Sequence, residues 1–400
     1  MNTLAAWYVR LLRWRTVVLP LAVYACGSDV AGRSALSEKP ARTFGFRVDA
    51  VDSVSFADFD PQFAQAVTLD DSTFGVSAHP REPVCVINAS RSQSTCRSVI
   101  GGGPGEIESV EQLGVWPPGG LAVWDRQTGR LGVWDRSLQV GATISVLDAS
   151  STGVDLLGVL PDSTILIGKG TAFHDMPLAV FANPSRIEYW KDAQRVPRPE
   201  YDIRGYWLSV VAIGTSRSGL SIESTPESFV SVSSKGARIV DARYCKITAA
   251  DSAVARPVLL PGCPGRIGFR DSVLVQLSRM KGPASKEHQA AGSASVIPER
   301  FVAITSVLED YGSGEIAVRF PAETGSASTW AFVRPDRSPP ISVVVPRPWR
   351  LIGLSSTFLL MVKRDAEDGF APMSVYWVRR SDMQPTGDTT TSQLPSAEPR

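Results

Sequence analysis

The chain has 400 residues, 43% of them hydrophobic and 20% charged, so it can bury a large core and is not a disordered sequence. Its 41 Lys plus Arg balance 40 Asp plus Glu for a formal net charge of +1, which leaves no chain-wide field to draw it onto nucleic acid. Apolar residues are spread evenly, which points to one large repetitive body and not to two unlike domains.

The N-terminus reads as a processing signal. Arg10, Arg13 and Arg15 precede an apolar run, Thr16 to Ala25, that is too short to cross a bilayer as a helix. Basic residues, a short apolar core and a small residue before the cut describe a secretory signal peptide over 1–25. Val23-Tyr24-Ala25-Cys26 resembles a bacterial lipoprotein lipobox, which implies that Cys26 becomes the lipidated first residue of the mature chain. Plain cleavage with Cys26 incidental is the alternative. Residues 26–43, small and polar from Gly27-Ser28-Asp29 onward, form the expected tether.

Four further cysteines match no CxxC or His-containing zinc spacing. Cys85 lies close to Cys96 and Cys245 close to Cys263, so two local disulfides are expected of a chain outside the cytoplasm. Loops of this size contribute roughly 3 kcal/mol each in the chain-entropy model. Other connectivities are allowed, and proximity favours the local one.

Over 44–382 almost every apolar run is short, rich in Val, Ile, Phe and Trp, and bounded by Gly, Pro, Asp or Ser, which is the pattern of strands. No run of helical period stands out, and Lys281 to Ala294 reads as a long insertion loop. Turn chemistry recurs. Leu69 to Phe74, Leu160 to Ile165, Phe269 to Leu274 and Leu354 to Phe358 each join an apolar residue through a short polar turn to a new strand. Pro117 to Gly120, Pro226 to Ser228 and Gly312 to Gly314 occupy similar junctions. A recurrence at roughly 45 residues is the period of propeller blades.

Val110 to Val146 can be read strand by strand. A hairpin loop over Arg126 to Gly129 pairs Asp125 with Arg130, Trp124 with Leu131 and Leu121 with Trp134. Trp124 and Trp134 then point to opposite faces, so this sheet must be covered on both sides, as a radially stacked blade is. The stretch Gly103-Pro104-Gly105-Glu106, Leu121-Ala122-Val123-Trp124-Asp125 and Leu131-Gly132-Val133-Trp134-Asp135 resembles bacterial NHL-like six-bladed β-propeller lipoproteins. Ile297 to Phe301, Glu315 to Val318, Trp330 to Phe332 and Ser374 to Trp377 are similar to the last blades of that group. The fold expected is therefore all-β, a single β-propeller of four-stranded antiparallel blades, six favoured and seven left open by the seven junctions. Residues 383–400, rich in Thr, Ser and Pro, are expected to form a disordered polar tail.

Catalytic chemistry is not legible. Gly101 to Glu106 lacks the Lys and Ser or Thr of a phosphate-cradling loop and opens no predicted helix, so it reads as a connection between blades. Ser278 to Lys281 matches Ser-x-x-Lys, but the serine ends a strand-like run where that motif needs a helix start. His79, His174 and His288 are too scattered for a triad or metal cluster and read as solvated. Glu106, Glu108 and Glu111, near the start of a blade's first strand, read either as a hard-cation site of the propeller-lactonase type or as a solvated acidic rim. Asn88-Ala89-Ser90 has the form of a glycosylation sequon, which carries little weight in a bacterial lipoprotein.

Two functions follow as expectations. The first is a non-catalytic binding module, lipid-anchored on the periplasmic or surface side of the bacterial envelope, monomeric and without cofactor, that engages a protein, peptide or glycan. The second is a metal-assisted hydrolase or lyase with its site at the channel mouth.

Overall fold

Short β-branched and aromatic runs separated by Asp, Ser, Gly and Pro fold back on their sequence neighbours, because local hairpins satisfy the backbone at the least entropic cost. The computed structural model of the chain describes residues 43–45, 52–56, 64–77, 83–98, 101, 106–146, 154–198, 201–222, 228–250, 257–260, 266–282, 284–301, 304–320, 327–334, 339–363 and 373–385. All of them belong to the compact unit Pro40–Arg400.

Among these residues, six sheets of four or more strands follow one another along the chain. The first begins at Gln65–Thr68, the second at Gln112–Trp116 and the third at Val154–Val159. The fourth begins at Ser228–Ser233, the fifth at Ser306–Glu309 and the sixth at Trp349–Leu354. Each of these first strands lies beside the first strand of the next sheet, and Trp349–Leu354 lies beside Gln65–Thr68, so the ring closes. The fold is a β-propeller of antiparallel blades. The N-terminal strand Asp52–Phe56 completes the sixth sheet against Met373–Arg379. Thr43–Gly45 pairs parallel to Ile341–Pro346 at the edge of the fifth.

Side chains on both faces of each sheet are buried, as stacking between neighbours requires. In the second sheet Leu121 faces Trp134 and Trp124 faces Leu131, the register read from the sequence. Trp134 packs with Val84 and Val86 of the first sheet, whereas Trp124 packs with Ile165 and Ile167 of the third. Both indoles are at most 1% exposed. Polar bonds near the inner edge reinforce the ring. The side chain of Gln65 donates to the Glu111 carbonyl (3.2 Å) and accepts from the Leu113 amide (3.1 Å). Gln112, at the equivalent start of the second sheet, accepts from the Leu156 amide at 2.6 Å. Arg238 donates to the Gly314 carbonyl (2.7 Å) and Arg350 to the Ala64 carbonyl (2.6 Å). Arg380 grips Glu315, which is 2% exposed, through two guanidinium nitrogens.

Five of the seven proposed junctions are hairpins between the first and second strands of a sheet: 69–74, 117–120, 160–165, 312–314 and 354–358. The other two are corrected. Ser228 opens the first strand of the fourth sheet, whose own hairpin falls at Ser234-Lys235. Phe269 to Leu274 lies in a helix, α1 (Phe269–Ser278), and the expected loop at Lys281 to Ala294 contains a second, α2 (Ser285–Ala294). Phe269, Val273 and Leu277 recur at i, i+4 and i+8 and are all buried, a helical stripe that overrides the strand propensity of the valines. The two helices meet where Gly292 leaves room: a Cβ there would lie 2.4 Å from Leu277 Cδ1. Both are framed by the ribbon Arg266–Ile267 with Arg300–Phe301 and dock on the third sheet, where the Trp207 and Phe269 rings meet edge to face at 5.5 Å.

The expected tail boundary also moves. Gln384–Pro385 pairs antiparallel to Thr43–Gly45, so strand structure continues past residue 383. The signal peptide, Cys26, most of the tether and residues 386–400 lie outside the described residues.

Candidate functional site

The first strands enclose a central cavity of about 180 Å³. Most of its lining residues are aliphatic, with Val67, Leu113, Val115, Leu157, Val159, Val230 and Val232 contributed by four sheets, while polar atoms make up close to half of the exposed wall. Close approach of the third and fourth sheets depends on Gly158, whose φ is +147° and whose absent Cβ would fall 2.6 Å from Val232 Cβ. Tyr311, in the hairpin after the fifth sheet's first strand, packs with the core shared by the first two sheets. Its hydroxyl points at the Val159 carbonyl of the third sheet, 3.5 Å away. The phenol thus reaches across one end of the channel.

Among the described residues lining the cavity, Glu309 is the sole charged side chain. It accepts a hydrogen bond from the Ser231 hydroxyl at Oε2, while Oε1 is buried without a partner. Burial pushes the Glu309 carboxyl up to about 7; the bond from Ser231 and the nearby Ser233 hydroxyl and Arg238 guanidinium pull it down, and Asp310 adds to the rise. Burial likewise raises Asp310, against hydrogen bonds from Ser313 and the Gly312 amide. Burial and the charges of Glu309 and Asp162 push the Tyr311 phenol up to about 12.

A hard cation wants about six to eight oxygen ligands, and the channel wall supplies one carboxylate. Among the described residues no three His, Cys, Asp or Glu side chains gather in a metal-binding group. The three glutamates named from the sequence do not converge on the cavity. Glu106 and Glu108 are exposed, and Glu111 accepts from Ser109 at 2.9 Å. The Glu108 amide instead donates to Asp125 Oδ2 (2.8 Å), and Asp125 Oδ1 accepts from the Gln127 amide (3.0 Å). Asp125 is fully buried, so the first Trp-Asp pair joins an entry segment to a hairpin loop. Gly101 donates to the Ile107 carbonyl at 3.1 Å in that same segment between the first two sheets. Asn88 closes the turn before Arg91, accepting its amide at 3.0 Å.

The histidines separate. His79 lies outside the described residues, and His174 is exposed beside Asp175 at 3.2 Å. His288 is not solvated as expected: it is 1% exposed on α2. Its Nδ1 is 2.7 Å from the Ser209 hydroxyl and its Nε2 3.3 Å from that of Ser218. Desolvation holds its pKa below the ordinary value, with Glu287 opposing. Ser209 is fully buried, so this pair braces α2 against the third sheet and offers no nucleophile to a substrate. Ser278 ends α1 and does not start a helix; its hydroxyl donates to the Val275 carbonyl at 2.8 Å.

Cys85 and Cys96 are cross-strand partners and form a disulfide, with Cα atoms 4.0 Å apart. Cys245 is disulfide-bonded as well, and Cys263 lies outside the described residues.

The third sheet is where the fold departs from a plain blade. Val180–Lys191 and Asp202–Ile213 are 12 residues each, and Ser216–Ser221 adds a further strand. A cleft of about 550 Å³ opens on this extension, lined by Lys169, Thr171, Ser185, Arg186, Glu188, Arg195 and Asp202 among others. Lys169 stands opposite Arg186, and Arg186 opposite Asp202, across the long strands. Glu188, 7% exposed, lies 3.7 Å from Arg195 and accepts from the Trp190 indole at 3.3 Å. Phe173, Leu178 and Tyr206 on this blade are about half exposed: 45%, 52% and 50%.

No family model matches the chain, and no curated protein matches it. Among solved structures it is similar to a candidate exported protein from Bacteroides fragilis, at 9% identity over 84% of this chain and 99% of that one, with a TM-score of 0.43. It is also similar to the calcium-binding protein regucalcin from Agrobacterium tumefaciens, at 11% identity over 84% and 95%, with a TM-score of 0.40. A third is virginiamycin B lyase from Staphylococcus aureus, at 8% identity over 82% and 99%, with a TM-score of 0.40. The fold rests on the sheets and their ring, and these likenesses add nothing about a ligand.

Proposed function

We propose that the protein is a binding module of the bacterial envelope: an NHL-like, six-bladed propeller lipoprotein, anchored through Cys26, that engages a peptide, protein or glycan on its third blade. The cleft on that blade carries the reading. It sets Lys169, Arg186 and Arg195 beside hydroxyls and two carboxylates, on a blade that also exposes aromatic and aliphatic side chains. Lys169 stands opposite Arg186 on one side while Asp202 faces Arg186 on the other, so the cleft's three cations exceed its two carboxylates by one, a surplus that an acidic group on a partner complements. Rigid scaffolds commonly carry recognition on such elaborations.

Loss of Lys169 and Arg186 charge tests this. An array of envelope glycans and acidic peptides probed with the mature chain should give bound spots that weaken about tenfold in Lys169→Glu/Arg186→Glu. Equal binding by both proteins would contradict the assignment. The anchor is tested separately: a fatty-acid analogue should label the wild type in an expressing bacterium and spare Cys26→Ser, and unlabelled wild type would refute it.

The enzymatic alternative asks a bound ion to polarise a carbonyl or generate hydroxide. With one carboxylate, the described channel wall does not offer the donor set such an ion needs, which favours the binding reading.

A further inference from the structure

The central cavity poses a problem that the third-blade reading leaves untouched. A carboxyl group has been placed in a channel lined mostly by aliphatic residues, one oxygen held by Ser231 and the other, Oε1, buried and without a hydrogen-bond partner. Buried polar atoms are satisfied in the great majority of structures, and a buried carboxylate calls for a counter-charge. Among the described residues no basic side chain forms an ion pair with Glu309; the nearby Arg238 spends a guanidinium nitrogen on the Gly314 carbonyl. When the carboxyl is ionised, the group that satisfies Oε1 is a hydrogen-bond donor.

The walls say what kind of donor. The cavity, about 180 Å³, is lined mostly by valine and leucine residues, with polar atoms over close to half of its surface. Apolar cavities near 150 Å³ hold a body the size of benzene. We propose that the channel binds a small organic ammonium ion, its charged head on Glu309 Oε1 and its hydrocarbon body among Val67, Leu113, Val115, Leu157 and Val159. The ammonium supplies both the hydrogen bond and the charge that Oε1 lacks, and its body removes apolar wall from water. A free carboxylate would meet like charge at Glu309, and a neutral alcohol would supply the bond without the charge. Binding should strengthen as pH rises through about 7, where the Glu309 carboxyl ionises, and weaken again when the amine loses its proton.

The mature chain at pH 8 would be titrated with butylammonium and cyclohexylammonium, with butanol and butyrate as matched controls, following the melting temperature and saturation-transfer NMR. The expected result is a saturable response to one or both ammonium probes and none to butyrate. Glu309→Gln keeps the side chain's shape and its bond from Ser231, and should weaken binding about tenfold or more. Its own unliganded melting curve reports whether it has folded. No saturable response to either probe, or the same response in Glu309→Gln, would overturn the proposal, as would water alone on Oε1 in a crystal soaked with the probe. Lys169→Glu/Arg186→Glu should bind the probes like wild type, so failure here and failure of the third-blade reading are told apart.

Discussion

Glu309 is the residue whose position is hardest to explain by packing alone, and its ionisation should be visible in stability. Burial pushes its carboxyl up to about 7 in the folded chain, from an ordinary 4.5. The folded state therefore holds the proton more tightly, so stability is greatest below about 4.5 and declines as pH rises through 7. Glu309→Gln removes that decline. Urea unfolding of the variant should match wild type near pH 4.5 and exceed it at pH 8 by on the order of 3 kcal/mol. A wild-type curve that falls as steeply in the variant would show that another group is responsible. Nothing in the sequence around Leu308-Glu309-Asp310 marked this residue, because its partner, Ser231, is 78 positions away. Asp125 is the opposite case: its Trp-Asp context drew attention, and its bonds to the Glu108 and Gln127 amides make it a turn cap.

At the scale of elements, hairpins were legible and the helical insertion was not. Turn chemistry placed five junctions, and the spacing of two tryptophans fixed the register of the second sheet, because both signals are local. The helices α1 and α2 draw their stability from docking on Trp207, Val180 and Ile222 of the third sheet, contacts distant in sequence. The stripe Phe269, Val273, Leu277 was present but short, and Ser285 to Ala294 carries little apolar surface of its own. His288 fastens this docking. Its folded pKa lies below the ordinary 6.5, so its contribution is complete above pH 6.5 and is lost as pH falls through the folded value. Hydrogen exchange in α1 and α2 should accelerate between pH 7 and pH 5 relative to the second sheet, and His288→Gln should remove the difference. Equal acceleration in both regions would mean that the histidine does not hold the insertion.

For the whole molecule, the closed ring divides the labour. First strands line a channel too narrow for a macromolecule, the strand Asp52–Phe56 closes the sixth sheet, and inter-sheet bonds fix the blades. What varies is outside: among the described residues, the third blade alone carries 12-residue strands, a polar cleft and a docked pair of helices. The ring was readable because five of the six sheets repeat one turn grammar between their first two strands. The cleft was not, since it arises from strand pairing across Thr171 to Ile213, where that grammar lapses. The central claim is that a macromolecular partner meets the third blade. A photo-crosslinking scan in the envelope of an expressing bacterium tests it directly, with the crosslinker at Thr171 in the cleft, at Ser94 on the outer strand of the first sheet, or at Lys235 on the fourth sheet's hairpin. A discrete adduct is expected from Thr171 that disappears with Lys169→Glu/Arg186→Glu, and none from Ser94 or Lys235. Adducts from Lys235 with none from Thr171 would contradict it.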